Sequence, residues 1–124
     1  MRHFADTDGL IIDLRQFPSE NITHDLTEYL VEGSLPLVVI SSPMLSSPGV
    51  FTVMSLRNAQ NVTVMGTNSI GANGTITWLP LPGGISMSFS GVGIYTPDGG
   101  QIQRIGLSPD IRVEDSPRDS RGQG

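Results

Sequence analysis

Four serines, Ser41, Ser42, Ser46 and Ser47, fall in one short turn, and the last two stand where a helix is expected to begin. A serine at a helix N-terminus lies beside backbone N–H groups that lack a partner inside the helix, and those groups favour negative charge. That is part of what an acyl-transfer nucleophile requires, together with a base to take the hydroxyl proton. The same placement describes a plain N-cap worth about 1 kcal/mol, followed by Pro48 as the first helical residue. The residue types leave both readings open.

Other chemistries are narrowed by what the chain lacks. It has no cysteine, which removes disulfides, thiolate zinc sites and cysteine nucleophiles. Its two histidines are His3, in an N-terminal stretch (1–8) expected to be frayed, and His24, beside Asp25 in the first turn of an expected helix. Neither has partners at ligand spacing, so no metal and no cofactor is expected. The glycine-rich stretch Gly66 to Gly74, GTNSIGANG, follows a strand as a phosphate cradle would. A P-loop needs a lysine, however, and there is none, so these glycines are expected to serve tight turns. Asn21, Asn61 and Asn73 open glycosylation triplets that matter only in a secretory setting.

Net charge is −5, and the seven cations are arginines scattered from Arg2 to Arg121. Such a distribution has no basic stripe for a phosphate backbone, and nucleic-acid binding is not expected. No apolar run approaches the ~20 residues that span a bilayer, and the N-terminus lacks a signal-peptide layout. A soluble chain without an address is expected. At 124 residues it has the size of one domain, able to bury roughly two thirds of its unfolded surface.

The elements that must position the serine turn can be read from apolar periodicity. Gly9 to Arg15, GLIIDLR, is apolar on both faces and predicts a strand inside an α/β sheet. Ile22, Leu26, Tyr29 and Leu30 fall at helical spacing between a cap at Asn21 and Gly33, predicting an amphipathic helix over 22–32. Leu35 to Ile40 predicts the next buried strand, so strand, helix and strand form one parallel crossover. Val50, Phe51, Val53 and Met54 make the helix after Pro48 apolar on most of its surface, hence internal, and Asn61 to Met65 predicts a third buried strand. Beyond Gly74 the texture changes to an antiparallel set, Thr75 to Leu79, Ile85 to Phe89 and Val92 to Thr96, divided by the turn signals PLPGG, SG and PDGG. Gln101 to Ile105 and Asp110 to Val113 are candidate edge strands, and residues 114–124 read as a disordered tail.

Several of these stretches together resemble the tail-specific, or C-terminal processing, serine peptidases, which have a ClpP/crotonase-like α/β core. The resemblance runs from Gly9 to Val113 and rests on GLIIDLR with Pro18 after it, LPLVVISS leading into a serine-bearing helix, NVTVMGTNSIGANG, and GVGIYTPDGGQIQRIGLSPDIRV. The last is similar to the family's closing segment with its YxPDG turn and GxxPDIxV end. The GA of the glycine loop and the LPGG of Leu81 to Gly84 resemble one branch in particular. The fold so implied is a parallel α/β core over residues 9–113, with antiparallel strands in the C-terminal half.

The resemblance implies Ser47 as nucleophile, or Ser46 if the turn is shifted by one, in a domain that hydrolyses peptide bonds through an acyl-enzyme. The family's lysine base falls on Ala72, the acidic residue three after the serine on Val50, the oxyanion N–H after the serine on Pro48, and the glycine pair after the first strand on Ser19 and Glu20. A serine and lysine dyad cannot form within a chain without lysine. Some relatives draw a histidine base from an earlier part of the catalytic domain, usually with a PDZ-type domain, and His24 is not at that place. The expected chain is therefore the C-terminal part of such a peptidase, inactive as a fragment, its base coming from an N-terminal half or from another copy in a homo-oligomer. The implied partner is a polypeptide substrate, and the implied location is exported or periplasmic. The alternative is a noncatalytic relative holding peptides or apolar ligands in the former groove, as the resemblance extends to the domains of interphotoreceptor retinoid-binding protein.

Overall fold

Strand β2, Leu37–Ser41, lies at the middle of the molecule because nearly every side chain in LVVIS is apolar and most are β-branched. The computed structural model describes residues 7–16, 30 and 35–114. Around β2 run β1 (Leu10–Asp13), helix α1 (Pro48–Leu56), β3 (Val62–Gly66), β4 (Thr75–Leu81), β5 (Ile85–Val92) and β6 (Ile111–Arg112). Four strands form one parallel sheet in the order β1-β2-β3-β6, and β4 pairs with β5 in a separate antiparallel sheet. In the main sheet Val39 stands opposite Ile12 on one side and Val64 on the other. This is the mixed α/β architecture that the sequence predicts.

Helix α1 buries Val50, Val53 and Leu56, which join Leu37, Val39, Leu45, Val64, Ile102 and Leu107 in one core. Each such side chain stabilises the fold by roughly 1.5–3 kcal/mol. Leu30 is also buried in that core. The rest of the expected helix over 22–32, the N-terminal residues 1–6 and the tail 115–124 lie outside the described residues.

Three expectations are corrected. Among the described residues β1 is at the sheet edge, with Ile11 68% exposed, so its apolar run does not put it between two of the described strands. Val92 to Thr96 and Gln101 to Ile105 do not form further strands beyond β5's last residue. They meet at the Tyr95 and Gln101 bridge and where the Ile102 N–H donates to Ile94 O (3.4 Å), and Thr96 N–H donates to Gly100 O (2.8 Å) and Gly99 N–H to Thr96 O (2.8 Å), closing the PDGG turn. The turn takes up the backbone groups that strands would have paired.

β6 does provide an edge strand, placed on the parallel sheet with Met65 opposite Ile111 and Gly66 opposite Arg112. Asp110 fastens it there. Its backbone N–H donates to Val64 O (2.7 Å), its Oδ2 accepts the Val64 N–H (2.7 Å), and its Oδ1 accepts from Arg57 (3.0 Å). Asp110→Ala removes the acceptor of a backbone N–H on a buried residue and is expected to cost roughly 2–3 kcal/mol. Arg57→Ala, at a partly exposed pair, should cost under ~1 kcal/mol. Urea denaturation of the two variants checks the ordering.

Candidate active site

The turn between β2 and α1 is tied down by two of its four serines. Buried Ser41 donates its hydroxyl to Thr67 O (2.9 Å) and Met65 O (3.3 Å), joining β2 to the end of β3. Ser42 donates to Arg15 O (2.6 Å) and accepts the Met44 N–H (3.1 Å), joining the turn to the end of β1. Leu45 then drops into the core, fully buried, with its N–H on Ser42 O (3.1 Å). Ser41 and Ser42 are thus structural, and the chain arrives at Ser46 and Ser47 from a rigid platform.

Ser47 has φ 44° and ψ −109°, immediately before the first helical residue, Pro48. Positive φ is uncommon for a residue with a Cβ, and a residue before proline ordinarily prefers the extended region. Strain of this kind costs on the order of 1–3 kcal/mol. The side chain does not recover it as a cap, since Ser47 makes no side-chain capping hydrogen bond. Its carbonyl accepts the Phe51 N–H (3.2 Å), and Ser46 O accepts the Gly49 N–H (3.1 Å). Both serines are half-buried.

The three positions to which the resemblance assigns the oxyanion N–H, the acid and the base are apolar. Pro48 has no N–H to offer an oxyanion, Val50 is buried in the core, and Ala72 is exposed on the loop after β3. In that loop the glycines act through close packing, as the sequence predicts: Gly66 (φ +124°) faces the Ser41 carbonyl, and Gly71 (φ +73°) packs against the backbone around Gly106. Next to Ala72, buried Asn73 donates its backbone N–H to Gln103 Oε1 (2.7 Å), while its own Nδ2 has no hydrogen-bond partner among the described residues. Ser19, Glu20, His3 and His24 lie outside the described residues. Among the described residues no group of histidine and carboxylate side chains could hold a metal ion.

A groove of about 810 Å³ opens where β1, β2, β3 and β6 end, lined by Arg15, Ser42, Met44, Met65, Thr67 and Val113 among others. In parallel α/β sheets, ligands bind outside these carboxyl ends. A second hollow of about 380 Å³ lies between the end of α1 and the PDGG turn. Neither is lined by Ser47, Val50 or Ala72. At the groove rim Arg15 holds Asp13 bidentately (2.7–3.1 Å), and those hydrogen bonds keep the Asp13 carboxyl below its ordinary 3.8. Motif reasoning passed over this pair, although GLIIDLR contains it. A lowered folded pKa gives stability that is present above the ordinary value and lost as pH falls. With both side chains about half exposed, the effect on stability is small. Arg15→Gln should raise the Asp13 pKa toward 3.8, read by NMR titration.

The central strand of the parallel sheet thus leads, through Ser47 at positive φ, into an internal helix, an α/β crossover architecture. Residues 18–113 match Peptidase family S41, and the chain belongs to that family. It is 32% identical over 79 residues to the carboxy-terminal-processing protease of Bartonella bacilliformis, covering 64% of this chain and 18% of that protein. Among solved structures it superposes on a peptidase-like protein from Parabacteroides merdae with a TM-score of 0.81 at 19% identity, over 95% of this chain and 49% of the other. The photosystem II D1 C-terminal processing protease gives 0.56 at 25% identity, over 65% and 21%. The chain thus spans about half, or less, of the length of these relatives. It is a peptidase-like domain with the S41 fold.

Proposed function

We propose that this is the serine-peptidase part of a tail-specific protease and that Ser47 is its nucleophile. The observation that carries the reading is the backbone at Ser47, held at positive φ before a proline with no capping bond to explain it. Strain that no side-chain capping bond offsets belongs with a hydroxyl presented for chemistry. Ser47 Oγ attacks the scissile carbonyl as its proton passes to a base. The C–N bond then breaks with the proton delivered to the leaving amine, and water hydrolyses the acyl-serine. No lysine of this chain can be that base. It comes from the rest of the longer protein or from another copy. The substrate that fits the family kinship is a polypeptide. An exported location fits the kinship with carboxy-terminal-processing proteases.

Hydrolysis of an unstructured polypeptide by the intact protein tests the reading. Ser47→Ala should lower turnover by roughly 10³-fold or more, and Ser46→Ala should leave it within a few-fold. Full activity in Ser47→Ala, or its loss in Ser46→Ala alone, would overturn the assignment.

A further inference from the structure

One turn is bonded to the loop after β3 on both sides of Ala72, the position to which the resemblance assigns the base. It runs from Ile102 to Gly106, where Ile102 O accepts the Ile105 N–H (3.1 Å) and the Gly106 N–H (2.8 Å). The Arg104 N–H donates to Gly71 O (2.8 Å), and Gln103 Oε1 accepts the Asn73 N–H (2.7 Å). Gly71 lets the two backbones close on each other, since a Cβ there would stand 3.0 Å from the Arg104 carbonyl carbon. Arg104 is therefore fixed beside the Ala72 position, and Ala72, Arg104 and Ile105 are all exposed.

Two features of Arg104 serve nothing inside the described fold. Its φ is 69°, at the third position of a turn, where positive φ is relaxed for glycine and tolerated by asparagine. An arginine there carries left-handed strain, and such outliers point to function. Its side chain is also the one arginine among the described residues that makes no hydrogen bond or ion pair with them, whereas Arg15 holds Asp13, Arg57 holds Asp110 and Arg112 holds Glu114. The loop beside it carries no carboxylate, since none occurs between Arg57 and Asp98, and Asp98 is engaged by Thr96 in its own turn.

A guanidinium is a planar fork that matches a carboxylate in two hydrogen bonds. Ile105, 62% exposed, adds an apolar contact next to it. Resting on the peptidase reading above, we propose that Arg104 is a specificity residue that binds a carboxylate of the polypeptide substrate, at its terminus or on an acidic side chain, beside the Ala72 position.

The test is binding, which needs no nucleophile and so stands apart from the assignment of Ser47. Isothermal titration calorimetry of the intact Ser47→Ala protein compares three short peptides of alanine, leucine and serine: one with a free terminal carboxylate, one amidated, and one amidated with an internal glutamate. The first or the third should bind roughly tenfold more tightly than the plain amide, and which of them does so identifies the source of the carboxylate. Adding Arg104→Gln should remove that preference and leave the affinity of the plain amide unchanged, and Arg104→Lys should keep part of it. Arg104→Gly should lose the preference while raising the thermal midpoint by roughly 2–5 °C as the strain is released. Equal affinity for the three peptides, no binding of any, or an Arg104→Gln variant that loses affinity equally for all three would overturn the proposal.

Discussion

Gly66→Ala is expected to lower stability by roughly 3–5 kcal/mol, a large part of the 5–15 kcal/mol that holds a domain of this size together. Gly66 ends β3 at φ +124°, where only glycine is relaxed. A Cβ there would also run into the Ser41 carbonyl, which is backbone of the central strand and cannot turn aside. Steric overlap and conformational strain add at one point, next to the Ser41 hydroxyl bonds that join β2 to the loop after β3. Gly83→Ala separates the two contributions. Gly83 also has positive φ (+87°), in the turn between β4 and β5, but a Cβ there meets nothing within 4 Å, so it should cost only ~1 kcal/mol. Far-UV circular dichroism during urea denaturation is the measurement, since Trp78 sits on the exposed hairpin and reports the core poorly. A loss below 1 kcal/mol for Gly66→Ala would mean that β2 and β3 are not held as described.

Ser47→Gly is expected to raise stability by about 1 kcal/mol while abolishing every reaction of the nucleophile. Glycine relieves the positive φ, and there is no side-chain cap to lose. A serine acting as a cap behaves in the opposite sense, since Ser to Gly at a cap costs a few tenths of a kcal/mol and Ser to Ala about 1. The sign of the change in thermal midpoint therefore distinguishes the two roles of Ser47 independently of any activity assay. A more stable but inert variant is the usual signature of strain kept for function.

Much of the main sheet is legible in the sequence, because Leu37–Ser41 and Val62–Gly66 are buried on one face, half-buried on the other and consist almost wholly of apolar residues. The hairpin is legible through the Pro82, Gly83 and Gly84 turn that joins β4 to β5. Long-range pairing is harder. Nothing local says that Ile111 pairs with Met65, a pairing set by Asp110 reaching back to Val64. The edge position of β1 is equally silent, because Leu10, Ile11 and Ile12 look alike on either side of a sheet. At the site, the serine's place is readable from helix-start chemistry, but its backbone is not. A serine before Pro48 reads locally as an extended cap, and its left-handed conformation is seen only in the folded chain, where Leu45 is buried on one side and α1 on the other. Asp13 and Arg15 escape motif reasoning for a similar reason, as their importance lies in the groove they border.

The most direct measurement is peptide mapping by mass spectrometry after treating the intact protein with a fluorophosphonate, which forms a phosphonyl ester on an activated serine. The assignment predicts one adduct, on Ser47, absent in Ser47→Ala and retained in Ser46→Ala. No adduct on the serine turn, or an adduct that stays when Ser47 is replaced, would contradict it.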